Sequence, residues 1–146
     1  MFREKNRECI VRVKSEQTGG PGGRQTMETR SKGQLFEREG VLYVLYEEKS
    51  GETQADAPVK NLLKIERESA RVSLKKSGAV SWKIIFERGK RDGSEYVTPC
   101  GVLEIGAETR EVKVEEGQEK TSLLLVYTLF IQGERQADCR LEIEIL

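Results

Sequence analysis

Apolar residues return at every second position over most of this chain, the mark of strands with one buried and one wet face. The first run puts Cys9, Val11 and Val13 on one face and Arg12, Lys14 and Glu16 on the other. Thr18-Gly-Gly-Pro-Gly-Gly23 interrupts it and reads as a mobile hairpin loop. A second strand follows over residues 25–37, with Met27, Thr29, Leu35 and Phe36, where Gly33 suits a bulge. Glu39-Gly40 turns the chain into Val41-Leu-Tyr-Val-Leu-Tyr46, a run apolar on both faces. Glu47-Glu48 then opens a polar loop through Ser50, Gly51 and Asp56 to Pro58.

Leu62, Leu63 and Ile65 begin a fourth strand, and a tight turn near Glu68-Ser69 returns the chain through Val72 and Leu74. Ser77-Gly78 is a two-residue hairpin signal. Val80, Trp82, Ile84 and Phe86 then alternate with Ser81, Lys83, Ile85 and Glu87, which predicts an inward Trp82. Past a polar turn at residues 88–93 come the segment Tyr96 to Thr109, Val112, Val114 and a turn at Glu116-Gly117. Residues 123–131 are again apolar on both faces, and Val126, Tyr127, Thr128, Phe130 and Ile131 favour strand over helix. Gln132-Gly133 turns the chain into Cys139, Leu141, Ile143 and Ile145.

No segment shows three-four spacing, so the fold class is all-β, with about 8–10 antiparallel strands and little or no helix. Exposed edges invite aggregation and closing the sheet removes them. The expected architecture is therefore a single up-and-down β-barrel over one domain, residues 1–146. Closure by the first and last strands sets Cys9 opposite the region of Ile145. Cys9 and Cys139 would then stand on the order of 20 Å apart, too far for a disulfide.

Charged residues make up 34 % of the chain, but 25 basic and 25 acidic side chains cancel. Phosphate contacts demand a positive balance or face, so no nucleic-acid partner is expected. No apolar run approaches the length of a spanning helix, so no membrane partner is expected either. The N-terminus, Met-Phe-Arg-Glu-Lys-Asn-Arg-Glu, has no apolar core of a secretory signal, which points to a cytoplasmic protein. Three cysteines, Cys9, Cys100 and Cys139, are an odd, scattered set that reads as small buried side chains rather than a disulfide framework. There is no histidine. That removes the commonest general base, the commonest metal ligand and every Ser-His or Cys-His pair. No catalytic residue, metal site or cofactor is expected.

The densest cluster of special-purpose residues is Tyr96-x-Thr98-Pro99-x-Gly101-x-Leu103-x-x-Gly106-x-x-Thr109. It resembles a motif of the YwiB-like family, uncharacterised bacterial proteins of calycin (lipocalin-like) type. Leu42-Tyr43-x-x-Tyr46-Glu47-Glu48, Leu63-Lys64-Ile65 and Phe86-x-x-Gly89 extend the resemblance in the same order, from about Val11 to Ile145. It implies a calycin-like β-barrel of unknown biochemical function, mostly in Gram-positive bacteria. Cys100 departs from it, since the family looks to have Tyr between the Pro and the Gly. A role resting on a phenol there has no counterpart in this chain.

Two readings of the motif stay open. Pro99 suits a strand end, Gly101 a sharp return, and Gly106 a bulge or close backbone approach, which together make a barrel corner. Alternatively Tyr96, Thr98 and Thr109 are polar handles in a lumen lined by Tyr43, Tyr46, Trp82 and Tyr127, a site for a small, largely apolar ligand. Runs apolar on both faces also allow a homodimer that covers the outer face. Glu47 and Glu48, adjacent on a strand, point to opposite faces and do not address one reacting group, although one of them can enter the barrel mouth.

Overall fold

A computed structural model describes residues 5–20, 22–48 and 59–146. The loop expected between Ser50 and Pro58 and the tip residue Pro21 lie outside the described residues. Ten strands carry the chain: β1 Lys5–Gly20, β2 Gly23–Arg38, β3 Val41–Glu48, β4 Val59–Glu66, β5 Arg71–Ser77, β6 Trp82–Phe86, β7 Arg91–Thr98, β8 Gly101–Glu116, β9 Thr121–Ile131 and β10 Glu134–Ile145. They form one antiparallel sheet in the order β6-β5-β4-β3-β2-β1-β10-β9-β8-β7. Among the described residues there is no helix, and so none long and apolar enough to cross a membrane.

The first and last strands pair as expected, Val11 opposite Ile145 and Gln17 opposite Cys139. All three cysteines are free, Cys9 and Cys139 buried and Cys100 exposed. Closure is completed between β6 and β7, which share no continuous ladder. A single bridge, Ser81–Val97, joins them through bonds of 3.0 and 2.9 Å. Side chains of β7 do the rest. Ser94 Oγ accepts the Lys83 N–H at 3.1 Å, and Asp92 Oδ2 accepts the Ile85 N–H at 2.7 Å. The result is a nearly closed barrel.

The period-two pattern decides which residues fill it. Leu42 and Val44 of β3, Leu63 and Ile65 of β4, Val72 and Leu74 of β5, and Ile84 and Phe86 of β6 are all buried in one core. From the opposite wall come Leu123, Leu125, Ile143 and Ile145, and the Phe86 ring meets that of Tyr127 with centroids 4.9 Å apart. Each such side chain contributes about 1.5–3 kcal/mol on burial, against the entropy of ordering the chain. The outer faces of the doubly apolar strands are covered in part, with Leu45 left exposed. Tyr43 packs on Phe36 at 6.5 Å beneath the Lys64 ammonium, and the Arg91 guanidinium lies 3.8 Å over the Phe130 ring.

Three local expectations change. The Gly-rich segment is no long loop, because β1 runs to Gly20 and β2 begins at Gly23. Gly33 forms no bulge and keeps register with Cys9 on one side and Tyr46 on the other. A Cβ there would stand 2.8 Å from the Leu45 carbonyl oxygen and 3.1 Å from Val11 Cγ2, so close approach is what requires glycine. Beyond Ser77-Gly78 the chain does not turn at once. β6 starts only at Trp82, because Ser81 gives its backbone bonds to Val97.

Candidate functional site at one end of the barrel

One register line crosses six consecutive strands: Cys9 opposite Gly33, Gly33 opposite Tyr46, Tyr46 opposite Asn61, Asn61 opposite Lys76, and Lys76 opposite Trp82. The neighbouring inward line on β2 to β6 is wholly apolar: Leu35, Val44, Leu63, Leu74 and Ile84. The apolar wall thus ends in a polar tier. Its origin is visible strand by strand, since each alternation runs one step past its last aliphatic residue: Asn61-x-Leu63-x-Ile65, Val72-x-Leu74-x-Lys76, Leu42-x-Val44-x-Tyr46-x-Glu48.

Within the tier, Lys76 Nζ pairs with Glu48 Oε2 at 2.9 Å and sits 5.8 Å over the Trp82 ring. Asn61 is fully buried. Its Nδ2 makes one long bond, 3.5 Å to the Val59 carbonyl, and its Oδ1 has no partner. Burial, then the Glu48 carboxylate, pushes the Tyr46 phenol far above its ordinary range. Burial likewise raises the Cys9 thiol, against a smaller opposing effect of Arg7. Both groups are therefore neutral at physiological pH. Cys9, Gly33, Tyr46 and Asn61 border an open cleft of about 730 Å³, which Ile10, Leu45 and Leu146 also line. Lys32, Glu47 and Lys60 also line it.

Tyr46 and Trp82 come together in this tier. Tyr96, packed against the core from β7, stands one residue from the Ser81–Val97 bridge. Thr98 does not point at the cleft. Its hydroxyl donates to the Gly101 carbonyl at 2.9 Å and accepts the Cys100 N–H at 3.2 Å, holding the β7–β8 turn. Thr109 and Tyr127 are direct cross-strand neighbours inside the core. Tyr43, read as lining, lies on the outer face against Phe36 and Lys64, because burial on β3 falls on Leu42, Val44 and Tyr46.

Most of the signature segment is thus hairpin, with Pro99-Cys100 at the turn and Gly106 opposite Gly93 without a bulge. The register shift on β8 falls later, between Thr109 and Glu111.

Residues 11–143 match the family described as Domain of unknown function (DUF1934). The chain belongs to that family. Among solved structures it is similar to the ywiB protein from Bacillus subtilis, at 22 % identity and a TM-score of 0.82, over 97 % of this chain and 93 % of that one. At that identity the likeness speaks for the fold, which is calycin-like. Among curated proteins nothing matches the chain. The resemblance carried by the motif therefore holds for family and fold.

Family membership assigns no chemistry, so the site has to be read from its side chains. Among the described residues no group of three or more His, Cys, Asp or Glu is placed to hold a metal ion. Glu48 is committed to Lys76. Asn61, Lys76 and Cys9 escape a search for aromatic and hydroxyl handles, yet each carries a legible signal, a polar or soft residue in phase with buried aliphatic ones.

Proposed function

We propose that this member of the family binds a small, largely apolar molecule carrying a hydrogen-bond donor, in the cleft at the polar-tiered end of the barrel. The observation that carries the reading is Asn61, fully buried beside the cleft with an unpartnered Oδ1. A buried acceptor left unmade costs about 1–3 kcal/mol. Such a cost is sensible where a ligand supplies the missing donor. The cleft's volume of about 730 Å³ lies within the usual range for small-molecule sites. Ile10, Leu45 and Leu146 line it together with two acidic residues, Glu8 and Glu47, and two basic ones, Lys32 and Lys60, while the Tyr46 phenol beside Asn61 stays neutral. With those charges balanced and a neutral acceptor at Asn61, an apolar body with one neutral donor fits the cleft better than an ion of either sign.

Thermal shift against three matched probes tests the reading. 1-Octanol and octanamide should raise the melting temperature, methyl octyl ether should do so less, and Asn61→Leu should abolish the difference between donor and ether. A response to none of the probes, or one that Asn61→Leu leaves intact, defeats it.

A further inference from the structure

β2 is accompanied by β1 from Gly23 to Glu37, but β3 pairs with it only from Gly33 to Arg38. Among the described residues the other edge of β2 from Gly23 to Lys32 therefore has no strand beside it. Such an edge offers free N–H and C=O groups to any extended chain. Its residues are exposed along this length except for half-buried Thr29 and Ser31, and Met27 is the most exposed large apolar residue described, at 63 %.

The charges on this edge are unsettled within one chain. Arg30 stands directly opposite Arg12, a like-charged cross-strand pair, while Glu28 stands opposite Lys14. Among the described residues no ion pair engages Glu28, Arg30 or Lys32.

We propose that two copies of the chain associate through this edge, β2 against β2 and antiparallel, about a two-fold axis at Thr29. A two-fold axis normal to the sheet sets residues of the same face opposite each other. Centred on Thr29, it places Glu28 opposite the partner's Arg30 and Arg30 opposite the partner's Glu28, with Met27 opposite the partner's Ser31. The competing centres are worse. Met27 would set Arg24 against the partner's Arg30, Glu28 would meet itself, and Ser31 would set Arg30 against the partner's Lys32. Centring on Thr26 would use Arg24, which is already held by Glu16 at 3.1 Å. The favoured register runs from Thr26 to Lys32, about 23 Å of strand at roughly 3.3 Å per residue. It supplies the anion that Arg30, facing Arg12, lacks.

The test is a charge swap read by sedimentation velocity. The wild-type chain should dimerise at concentrations of about 1–100 µM, while Glu28→Arg alone and Arg30→Glu alone should each weaken the dimer about tenfold or more. Mixing the two variants should restore it, because the Arg introduced at 28 in one copy then meets the Glu introduced at 30 in the other. That recovery also shows both variants to be folded. A monomeric wild type, single variants that dimerise as well as wild type, or a mixture no tighter than its components would each overturn the proposal.

Discussion

Thr109 closes the family's signature segment, and replacing it by Val isolates one oxygen atom. The side chain is 1 % exposed on β8 and its Oγ1 has no hydrogen-bond partner. The backbone is satisfied independently, since Thr109 N donates to the Lys90 carbonyl and its own carbonyl accepts Gly89 N–H, both at 2.9 Å. Val keeps the β-branched shape that suits a strand. Removing an unpaired buried hydroxyl relieves about 1–3 kcal/mol, and the added methyl contributes up to about 0.8 kcal/mol. The net expectation is a stabilisation of about 1–3 kcal/mol, read by urea unfolding. For a domain of this size that corresponds to a rise in Tm of roughly 3–9 °C. Thr128 supplies the control. It is also buried, but its hydroxyl donates to Asp138 Oδ1 at 3.0 Å, so Thr128→Val should destabilise by about 1.5–3 kcal/mol. The same chemical change thus has opposite signs on neighbouring strands. If Thr109→Val lowers stability by 1 kcal/mol or more, taken as roughly the worth of one hydrogen bond, its hydroxyl is bonded in solution and the reasoning fails.

Two further perturbations follow from the packing. Gly33→Ala forces a methyl to within 2.8 Å of the Leu45 carbonyl oxygen, so the β2–β3 pair must part. A loss of about 1–3 kcal/mol in urea melts is expected, and a loss under about 0.5 kcal/mol would show that the strands separate freely. For the thiols, burial pushes Cys139 up to about 11 from an ordinary value near 9, a smaller effect of the Tyr127 hydroxyl opposing it, and burial also raises Cys9. A thiol reagent at neutral pH should therefore modify Cys100 alone in the folded protein. The folded state keeps the Cys139 proton that the unfolded state releases, so stability is full below pH 9 and falls as pH rises through about 11. Cys139→Ala should flatten this fall, and an unchanged alkaline slope would show that Cys139 does not cause it.

The barrel was legible because its causes are local. Period-two alternation places Trp82, Ile84 and Phe86 without any knowledge of neighbours, and Gln132-Gly133 turns the chain where the pattern says it must. The β6–β7 seam was not legible. There Asp92 and Ser94 accept backbone N–H groups that a ladder would otherwise satisfy, and short polar residues in sequence read simply as a turn. Gly33 shows a different limit. Its identity announces a special backbone, but whether bulge or close approach depends on the Leu45 carbonyl of another strand. Tyr43 fails for a third reason. In Val41 to Tyr46 every residue is apolar, so the pattern carries no phase, and only the pairing of Tyr43 with Phe36 and Lys64 fixes its face.

The phase rule that fails on apolar runs works where a polar residue takes an aliphatic place. Asn61, Lys76 and Thr109 each occupy an inward position in a strand whose other inward residues are buried and mostly aliphatic. Lys76 is settled by Glu48, while Asn61 and Thr109 each keep an oxygen with no partner. Thr29 Oγ1 on β2 is a third buried oxygen without a partner among the described residues; at Asn61 and Thr109 the cost is the same in kind, and what separates these two is access. Asn61 borders an open cleft, whereas Thr109 is enclosed beside Tyr127. Removing the oxygen should therefore stabilise the barrel in both cases, but only at Asn61 should it change what the protein binds. A donor-dependent probe response that survived Asn61→Leu and vanished with Thr109→Val would reverse the assignment and return the ligand to the signature segment.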